Sequence, residues 1–161
     1  MKVAKFEKVS HEQFQKDLLN FCRIEEECYE MIQLPVRATK GSAGYDFFSP
    51  IDVTLEPGES IRIPTGIRCH IEPGYVLQLY PRSSLGFKYQ MTLLNTTGII
   101  DSDYYEADNQ GHIIAGIINR GDKTLHIARK DRFIQGIFLQ YYLAEETEND
   151  KIRHGGFGST G

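Results

Sequence analysis

The chain has 161 residues, with 18 Lys and Arg against 22 Asp and Glu, so its formal net charge is −4. The length predicts one domain with one core, and 40% apolar with 25% charged residues excludes a disordered or fibrous chain. No apolar run approaches the ~18 residues of a membrane span, and the first residues lack a signal-peptide core. We therefore expect a cytoplasmic protein with reduced cysteines, no membrane partner and no direct contact with nucleic acid.

Residues 10–33 contain neither Gly nor Pro, whereas all 15 Gly and all six Pro lie at or beyond position 35. Ser10 and Gln13 have the spacing of a capping box, and apolar residues then recur at intervals of three, four and seven. This pattern predicts a helix over residues 10–33, which belongs to an N-terminal strand and helix extension, residues 1–33. Such a helix either covers its own domain or docks a partner protein.

From residue 34 onward, short alternating runs of apolar and polar residues predict many strands separated by turns. Glu-Pro-Gly occurs twice between such runs, at Glu56–Gly58 and Glu72–Gly74. Pro presets φ at the first corner of a turn, and Gly supplies a positive φ at the second. Residues 133–142 form a long apolar run whose aromatic and branched side chains argue against a helix. Strands at this spacing predict an all-β sandwich or barrel.

Polar segments interrupt the predicted strands and offer groups that could carry chemistry. Four are prominent and a fifth is weaker: Gly41–Asp46, Pro81–Lys88, Gly98–Tyr105, Arg153–Gly161 and, more weakly, Asp131–Gln135. The second presents an Arg, two Ser hydroxyls and a Lys, which suits either a phosphate site or an ordinary solvated turn. The C-terminal segment has similar groups, so it is either a frayed terminus or a ligand-binding arm.

Two carboxylates, Asp101 and Asp103, follow an apolar strand. Alternation along an extended chain would place both on one face, with Ser102 opposite. A carboxylate pair serves general-base catalysis or metal binding, and the alternative is a pair of turn aspartates. The His and Cys residues show no zinc-ligand spacing.

Taken in order, the five segments resemble the five motifs of the trimeric dUTPase family. The matching stretches, from about Leu34 to Gly161, read G-S-A-G-Y-D, P-R-S-S, N-x-x-G-I-I-D-S-D-Y, D-R-F-I-Q and R-H-G-G-F-G-S-T-G. The resemblance implies a jelly-roll-like β barrel (a β-clip fold) over residues 34–161, with the Gly-rich tail 153–161 included. It also implies a homotrimer with active sites between subunits, because one small barrel would hold these motifs apart.

The resemblance further implies hydrolysis of dUTP to dUMP and pyrophosphate, which limits uracil in DNA and supplies dUMP for dTMP synthesis. Mg²⁺ would be held by substrate phosphates and water, without direct protein ligands. Asp101 matches the general base that activates water. Asp46 and Arg132 match site-orienting positions, and Asp46 would orient the site by pairing with an Arg. Phosphate-binding positions of the family correspond to Arg82, Ser83, Ser84, Gln135, Arg153, Ser159 and Thr160. Uracil- and deoxyribose-binding positions correspond to Asn95, Gly98, Ile99, Ile100, Tyr104, Ile114 and Phe157.

Four features depart from the family's common pattern. Ser84 stands where Gly is usual, residues 105–110 form an acidic insertion after Tyr104, and the tail has one residue fewer before Phe157. The N-terminal helix has no counterpart in the minimal family. None of these changes removes a catalytic group. Two alternatives remain: a dCTP deaminase-like enzyme of the same fold, and a nucleotide-sensing regulatory module that binds a protein through the helix or the insertion.

Overall fold

The computed structural model describes residues 1–25, 28–145 and 155, and over these residues the chain is mostly β. The strands are β1 (Ala4–Lys8), β2 (Val36–Arg37), β3 (Tyr45–Phe48), β4 (Val53–Leu55), β5 (Ser60–Pro64), β6 (Ile67–Ile71), β7 (Tyr75–Pro81), β8 (Met91–Leu93), β9 (Gly98–Ile100), β10 (Ile114–Asn119), β11 (Leu125–Ile127) and β12 (Arg132–Gln140). The helical elements are α1 (His11–Cys22), α2 (Ser83–Tyr89) and two 3₁₀ turns, Tyr29–Met31 and Ser102–Glu106. In the part of the chain described, no helix is long and apolar enough to cross a membrane.

The strands pair in antiparallel fashion into four sheets. The largest has the order β2-β3-β12-β7-β9, a second has the order β5-β10-β8, and β1-β6 and β11-β4 form two-stranded sheets. None of these sheets closes on itself within the described ranges. The prediction of a mostly β fold is therefore confirmed, whereas the jelly-roll-like barrel is not.

Both Glu-Pro-Gly segments form the predicted turns. Gly58 and Gly74 each have φ of +87°, a left-handed value that costs glycine little. The first turn is closed by the N–H of Glu59, which donates to the carbonyl oxygen of Glu56 at 3.0 Å, and the second has the equivalent bond at 3.2 Å. These turns join β4 to β5 and β6 to β7, so the turn chemistry sets where β7 begins.

The long apolar run near the C-terminus forms β12, which lies in the middle of the five-stranded sheet between β3 and β7. Its register places Gln135 opposite Asp46 of β3 on one side and opposite Tyr80 of β7 on the other. At Gly136 a Cβ atom would lie 2.7 Å from the Leu77 side chain, so the missing side chain lets the strand pack closely there. β12 thereby brings three of the motif segments side by side.

Helix α1 contributes to the same hydrophobic core as the strands. Phe14 and Leu18 of α1 are fully buried and join a cluster that includes Ile63, Ile67 and Phe133. Burial of two large apolar side chains contributes on the order of 3–6 kcal/mol before entropic costs. The packing favours the first of the two alternatives for the helix, that it covers its own domain.

The helix is shorter than the sequence pattern predicted. It begins as expected, since the Ser10 side chain accepts the N–H of Gln13 at 3.1 Å. It ends at Cys22 instead of continuing to residue 33, because Arg23 adopts the left-handed conformation with φ of +56°. The prediction of one helix over residues 10–33 is therefore wrong, and the apolar residues beyond the helix reach the core from a loop and a 3₁₀ turn.

A buried pair fixes α1 to the β structure. The Nδ1 atom of His112 lies 2.6 Å from Oδ2 of Asp17, and its Nε2 accepts the N–H of Gly66 at 2.8 Å. Because Nε2 is an acceptor, the proton of the ring is placed on Nδ1, which donates to Asp17. Burial alone would raise the pKa of Asp17, but hydrogen bonds from His112 and Gln13 outweigh it and hold that pKa below its ordinary value.

We expect Asp17→Ala to lower the free energy of unfolding by about 1–3 kcal/mol, because it leaves the buried N–H of His112 without its acceptor. Asp17→Asn keeps an acceptor oxygen and should cost less. Urea denaturation at pH 7 measures both, with the exposed Glu12→Ala on the same helix as the control. An Asp17→Ala value within about 0.5 kcal/mol of the wild type would contradict the role of the pair.

The same pair predicts a pH dependence. A carboxylate whose pKa falls on folding contributes stability that is present above the unfolded value, here 3.8. That contribution is lost as the pH falls through the lower folded value. The difference in stability between wild type and Asp17→Asn should therefore be constant near neutral pH and should narrow below pH 3.8. A difference that grew on acidification would contradict this sign.

Candidate active site

A cavity of about 130 Å³ lies where β9, the loop before it and β10 meet. Its lining includes six of the residues that the sequence assigns to uracil and deoxyribose: Asn95, Gly98, Ile99, Ile100, Tyr104 and Ile114. A volume of this order is close to the ~150 Å³ of a cavity that admits one benzene ring. The structure therefore brings these six positions together around a space suited to a single six-membered ring.

The cavity has a polar, exposed side and an apolar, buried side. Asn95 and Ile99 are exposed, whereas Tyr104 and Ile114 are only 6% and 8% exposed. β9 lies at the edge of its sheet, opposite β7 through Gly98 and Leu79. A Cβ on Gly98 would lie 2.9 Å from the Cβ of Leu79, so glycine allows the two strands to approach each other here.

Asp101 lines a second cavity of about 500 Å³, next to the first. Ile99 lies in the walls of both, so the two cavities share a boundary. The expected alternation beyond Asp101 is wrong, because the extended chain stops there and Ser102–Glu106 form a 3₁₀ turn. Asp101, Ser102 and Asp103 consequently all line this cavity, instead of the middle residue facing away.

A separate polar cluster forms where β3, β7 and β12 lie side by side. Asp46 is 5% exposed, and its two carboxylate oxygens face different guanidinium groups. Nε of Arg82 lies 3.0 Å from Oδ1, and NH1 of Arg132 lies 3.3 Å from Oδ2. The side chain of Gln135 donates to the carbonyl oxygen of Pro81 at 3.3 Å. The prediction that Asp46 pairs with an arginine is confirmed, and the structure gives it two.

The segment after β7 differs from the predicted loop. Helix α2 starts directly after Arg82, so Ser83 and Ser84 form its exposed first turn. A side chain at position 84, where the family usually has Gly, restricts the backbone and is compatible with helix. Arg82 and Arg132 also line a third cavity of about 230 Å³. This end of β7 therefore presents two guanidinium groups and two hydroxyls close together.

The two groups of predicted site residues lie at different levels along β7. The pairing places Ile100 opposite Leu77, and Arg82 follows five residues later. At ~3.3 Å per residue, about 17 Å separates these two levels of the sheet. Within the described residues, the cavity at Tyr104 and the cavity at Arg82 have no lining residue in common. Asp101 and Arg82 therefore line different cavities of the chain.

The predicted tail positions Arg153, Phe157, Ser159 and Thr160 lie outside the described residues. Motif matching missed several residues of the first two cavities, namely Val76, Gln78, Leu79, Leu93 and Tyr141. These residues join the site through the pairing of distant strands, which leaves no signal in the local sequence. In the ranges that the structure covers, no three His, Cys, Asp or Glu side chains gather as metal ligands.

Comparison with known proteins agrees with the motifs. The family model for dUTPase matches residues 30–161. The deoxyuridine 5′-triphosphate nucleotidohydrolase of Lactococcus lactis subsp. lactis (strain IL1403) is 41% identical over 133 residues, which are 81% of this chain and 89% of that protein. The chain therefore belongs to the dUTPase family. Helix α1 precedes the matched region.

Solved structures give the same result for the fold. The crystal structure of dUTPase from Streptococcus mutans aligns with a TM-score of 0.67 and 30% identity, covering 88% of this chain and 98% of that one. The dUTPase of Staphylococcus bacteriophage 80alpha with dUPNHPP also aligns with a TM-score of 0.67 and covers 100% of this chain and 99% of that one. Its identity is 22%, so this second likeness concerns the fold alone.

We expect Asp46→Asn to lower stability by about 1–3 kcal/mol, because two guanidinium groups lose the buried charge between them. The matched control is Lys5→Gln, which removes an exposed ion pair with Glu7 at 2.6 Å. An exposed pair is worth less than about 1 kcal/mol. Calorimetric unfolding at low salt compares the two, and equal losses would contradict the importance of the Asp46 cluster.

Proposed function

We propose that this chain hydrolyses dUTP to dUMP and pyrophosphate in the cytoplasm, limiting uracil in DNA and supplying dUMP for dTMP synthesis. The observation that carries the proposal is the cavity of about 130 Å³ lined by six positions that match the family's uracil and deoxyribose contacts. Family membership and the activity named for the L. lactis relative support it further. Nothing specific in the structure favours the deaminase alternative.

The base would bind along β9. Because β9 is an edge strand, one side of its backbone faces away from β7 and can pair with the polar edge of uracil. The Asn95 amide at the exposed side of the cavity offers both a donor and an acceptor for the base. Gly98, Ile99 and Ile100 would exclude a methyl group on the ring, and the Tyr104 ring would lie under the sugar.

Asp101 would act as the general base. Its carboxylate would accept a proton from a water whose oxygen forms the new bond to the α-phosphorus, as the bond to pyrophosphate breaks. The α-phosphate is attached to the sugar, so the reacting atoms lie beyond the base cavity, and Asp101 lies in the adjoining one. Mg²⁺ on the triphosphate would offset its negative charge, with phosphate and water oxygens as ligands.

We expect Asp101→Asn to bind dUTP and to lose about 10²–10⁴-fold in kcat, measured as pyrophosphate release. Asp103→Asn tests which of the two carboxylates is the base and should lose far less. The control is Asp108→Asn, an exposed carboxylate of the insertion, which should turn over normally. An Asp101→Asn variant with near-normal turnover would refute the assignment of the base.

We also propose a homotrimer with shared sites. The phosphates of a bound triphosphate span only several ångströms, whereas Arg82 lies about 17 Å from the level of Ile100 along β7. Arg82, Ser83, Ser84 and Gln135 of one chain would therefore serve the Asp101 of another. Arg153, Phe157, Ser159 and Thr160 would complete the site. An exposed apolar patch at the end of β12, with Tyr142 85% and Leu143 78% exposed, supports a subunit contact.

Light scattering should give three times the mass of one chain. The double substitution Tyr142→Ser with Leu143→Asp should shift the assembly toward smaller species, because it places a charge in the apolar patch. Leu19→Ser, which changes an exposed leucine of α1, is the matched control and should leave the mass unchanged. A wild-type chain that is monomeric at assay concentration would contradict shared sites.

Docking of a protein partner through α1 or residues 105–110 stays a prediction. Tyr105 and Gln110 of the insertion already make contacts within the chain, so a partner would have to bind through other groups of this segment or displace these contacts.

A further inference from the structure

The hydroxyl group of Tyr104 is held on both sides. It donates to the carbonyl oxygen of His112 at 2.7 Å and accepts from Nδ2 of Asn109 at 2.8 Å. The other side of the Asn109 amide, Oδ1, accepts the N–H of Gly111 at 3.2 Å, which fixes the direction in which Nδ2 points. The ring is thus fixed at Cβ by the 3₁₀ turn and at its far end by Asn109 of the insertion and by His112, which follows the insertion.

The chain folds back very closely on Tyr104 at this point. Gly111 has φ of +67°, and a Cβ there would lie 2.7 Å from the carbonyl oxygen of Tyr104 and 2.7 Å from the Cα of Tyr105. Gln110 before it also has a positive φ, +61°. Two consecutive residues are left-handed, and the second, Gly111, has no room for a side chain. Segment 104–112 is therefore a tightly constrained loop.

This loop is tied to the N-terminal extension at three places. The tied pairs are Glu7 with Tyr105, Ser10 with Gln110, and Asp17 with His112. In the second pair, Oε1 of Gln110 accepts the N–H of Ser10 at 2.8 Å, and Nε2 of Gln110 donates to the Ser10 hydroxyl at 3.0 Å. The start of α1 and the end of the insertion therefore satisfy each other's polar groups.

The third tie leads directly to Tyr104. Gln13 of α1 donates to Asp17 at 2.8 Å, Asp17 holds the His112 ring, and the His112 carbonyl oxygen accepts the Tyr104 hydroxyl. His112 is fully buried and Asp17 is 7% exposed, so water competes little for these bonds. A continuous set of short contacts thus runs from the N-terminal helix to the wall of the base cavity.

We propose that residues 4–22 and 104–112 form one unit, the sugar frame, which fixes the Tyr104 ring. In it Asn109 and His112 are positioning residues for the choice between a deoxyribose and a ribose. This rests on the proposed function, in which Tyr104 lies under the sugar. Exclusion of a 2′-hydroxyl by a ring depends on the ring position to within about 1 Å, so a ring free at its far end discriminates less well.

The test measures kcat/KM for dUTP and for UTP by pyrophosphate release, and the ratio of the two values is the preference for dUTP. Asn109→Ala should narrow the preference for dUTP by about fivefold or more, with kcat on dUTP changed by less than about threefold. Tyr104→Phe should narrow it similarly, and adding Asn109→Ala to Tyr104→Phe should have no further effect, because the shared hydrogen bond is already gone. Asp17→Ala changes a residue outside the cavity wall and should also narrow the preference, because it leaves the N–H of the His112 ring without its acceptor.

Ser49→Ala is the matched control, since it removes another buried hydrogen bond, from the Ser49 hydroxyl to the carbonyl oxygen of Ile51 at 2.7 Å. It should lower the melting temperature and leave the substrate preference as it is. If Asn109→Ala lowers the melting temperature but leaves the ratio of kcat/KM for dUTP to kcat/KM for UTP unchanged, the sugar frame is overturned. If that variant does not fold, an unchanged preference in both Tyr104→Phe and Asp17→Ala overturns it. A wild-type protein that leaves dUTP intact refutes the proposed function itself.

Discussion

β7 connects the two groups of predicted site residues, because β9 pairs with its middle, from Leu77 to Leu79, and Arg82 follows directly after Pro81. Its other neighbour, β12, places Gln135 beside Tyr80 and extends the same sheet to β3 and Asp46. The register of two antiparallel pairs thus sets the positions of the first cavity, of Asp101 and of the arginine cluster. A one-residue slip would turn each of these side chains to the other face of the sheet.

The same arrangement separates the local charge near the end of β7 from the net charge of the molecule. A net charge of −4 offers little general attraction to a triphosphate. Arg82 and Arg132 share the carboxylate of Asp46, so within this group of three side chains two positive charges face one negative charge. Asp46 thus holds the two guanidinium groups in place while leaving charge and N–H donors for an anion. In the proposed function, attraction of the triphosphate is a local property of this cluster.

Much of this could be predicted from sequence, and the failures share a cause. Turn residues fixed the Glu-Pro-Gly corners, and motif order identified the cavity residues and the Asp46 pair. The early end of α1, the helix after Arg82 and the 3₁₀ turn after Asp101 were missed, because local preferences over such short stretches are weak. The contact of α1 with the insertion was missed too, since Asp17 and His112 are 95 residues apart and each looks ordinary alone. Helix α1 and the insertion, residues 105–110, both depart from the family pattern, and the structure brings them into contact with each other.

The central claim is that Arg82 and Asp101 of the same chain belong to different sites. The most direct test mixes two inactive variants, Arg82→Ala and Asp101→Asn, by refolding them together in equal amounts and measuring pyrophosphate release from dUTP. If each site draws on two chains, about a quarter of the sites in random assemblies combine an intact Arg82 with an intact Asp101. The account predicts recovery of about a quarter of the wild-type activity. Activity in the mixture no higher than in either variant alone would contradict it.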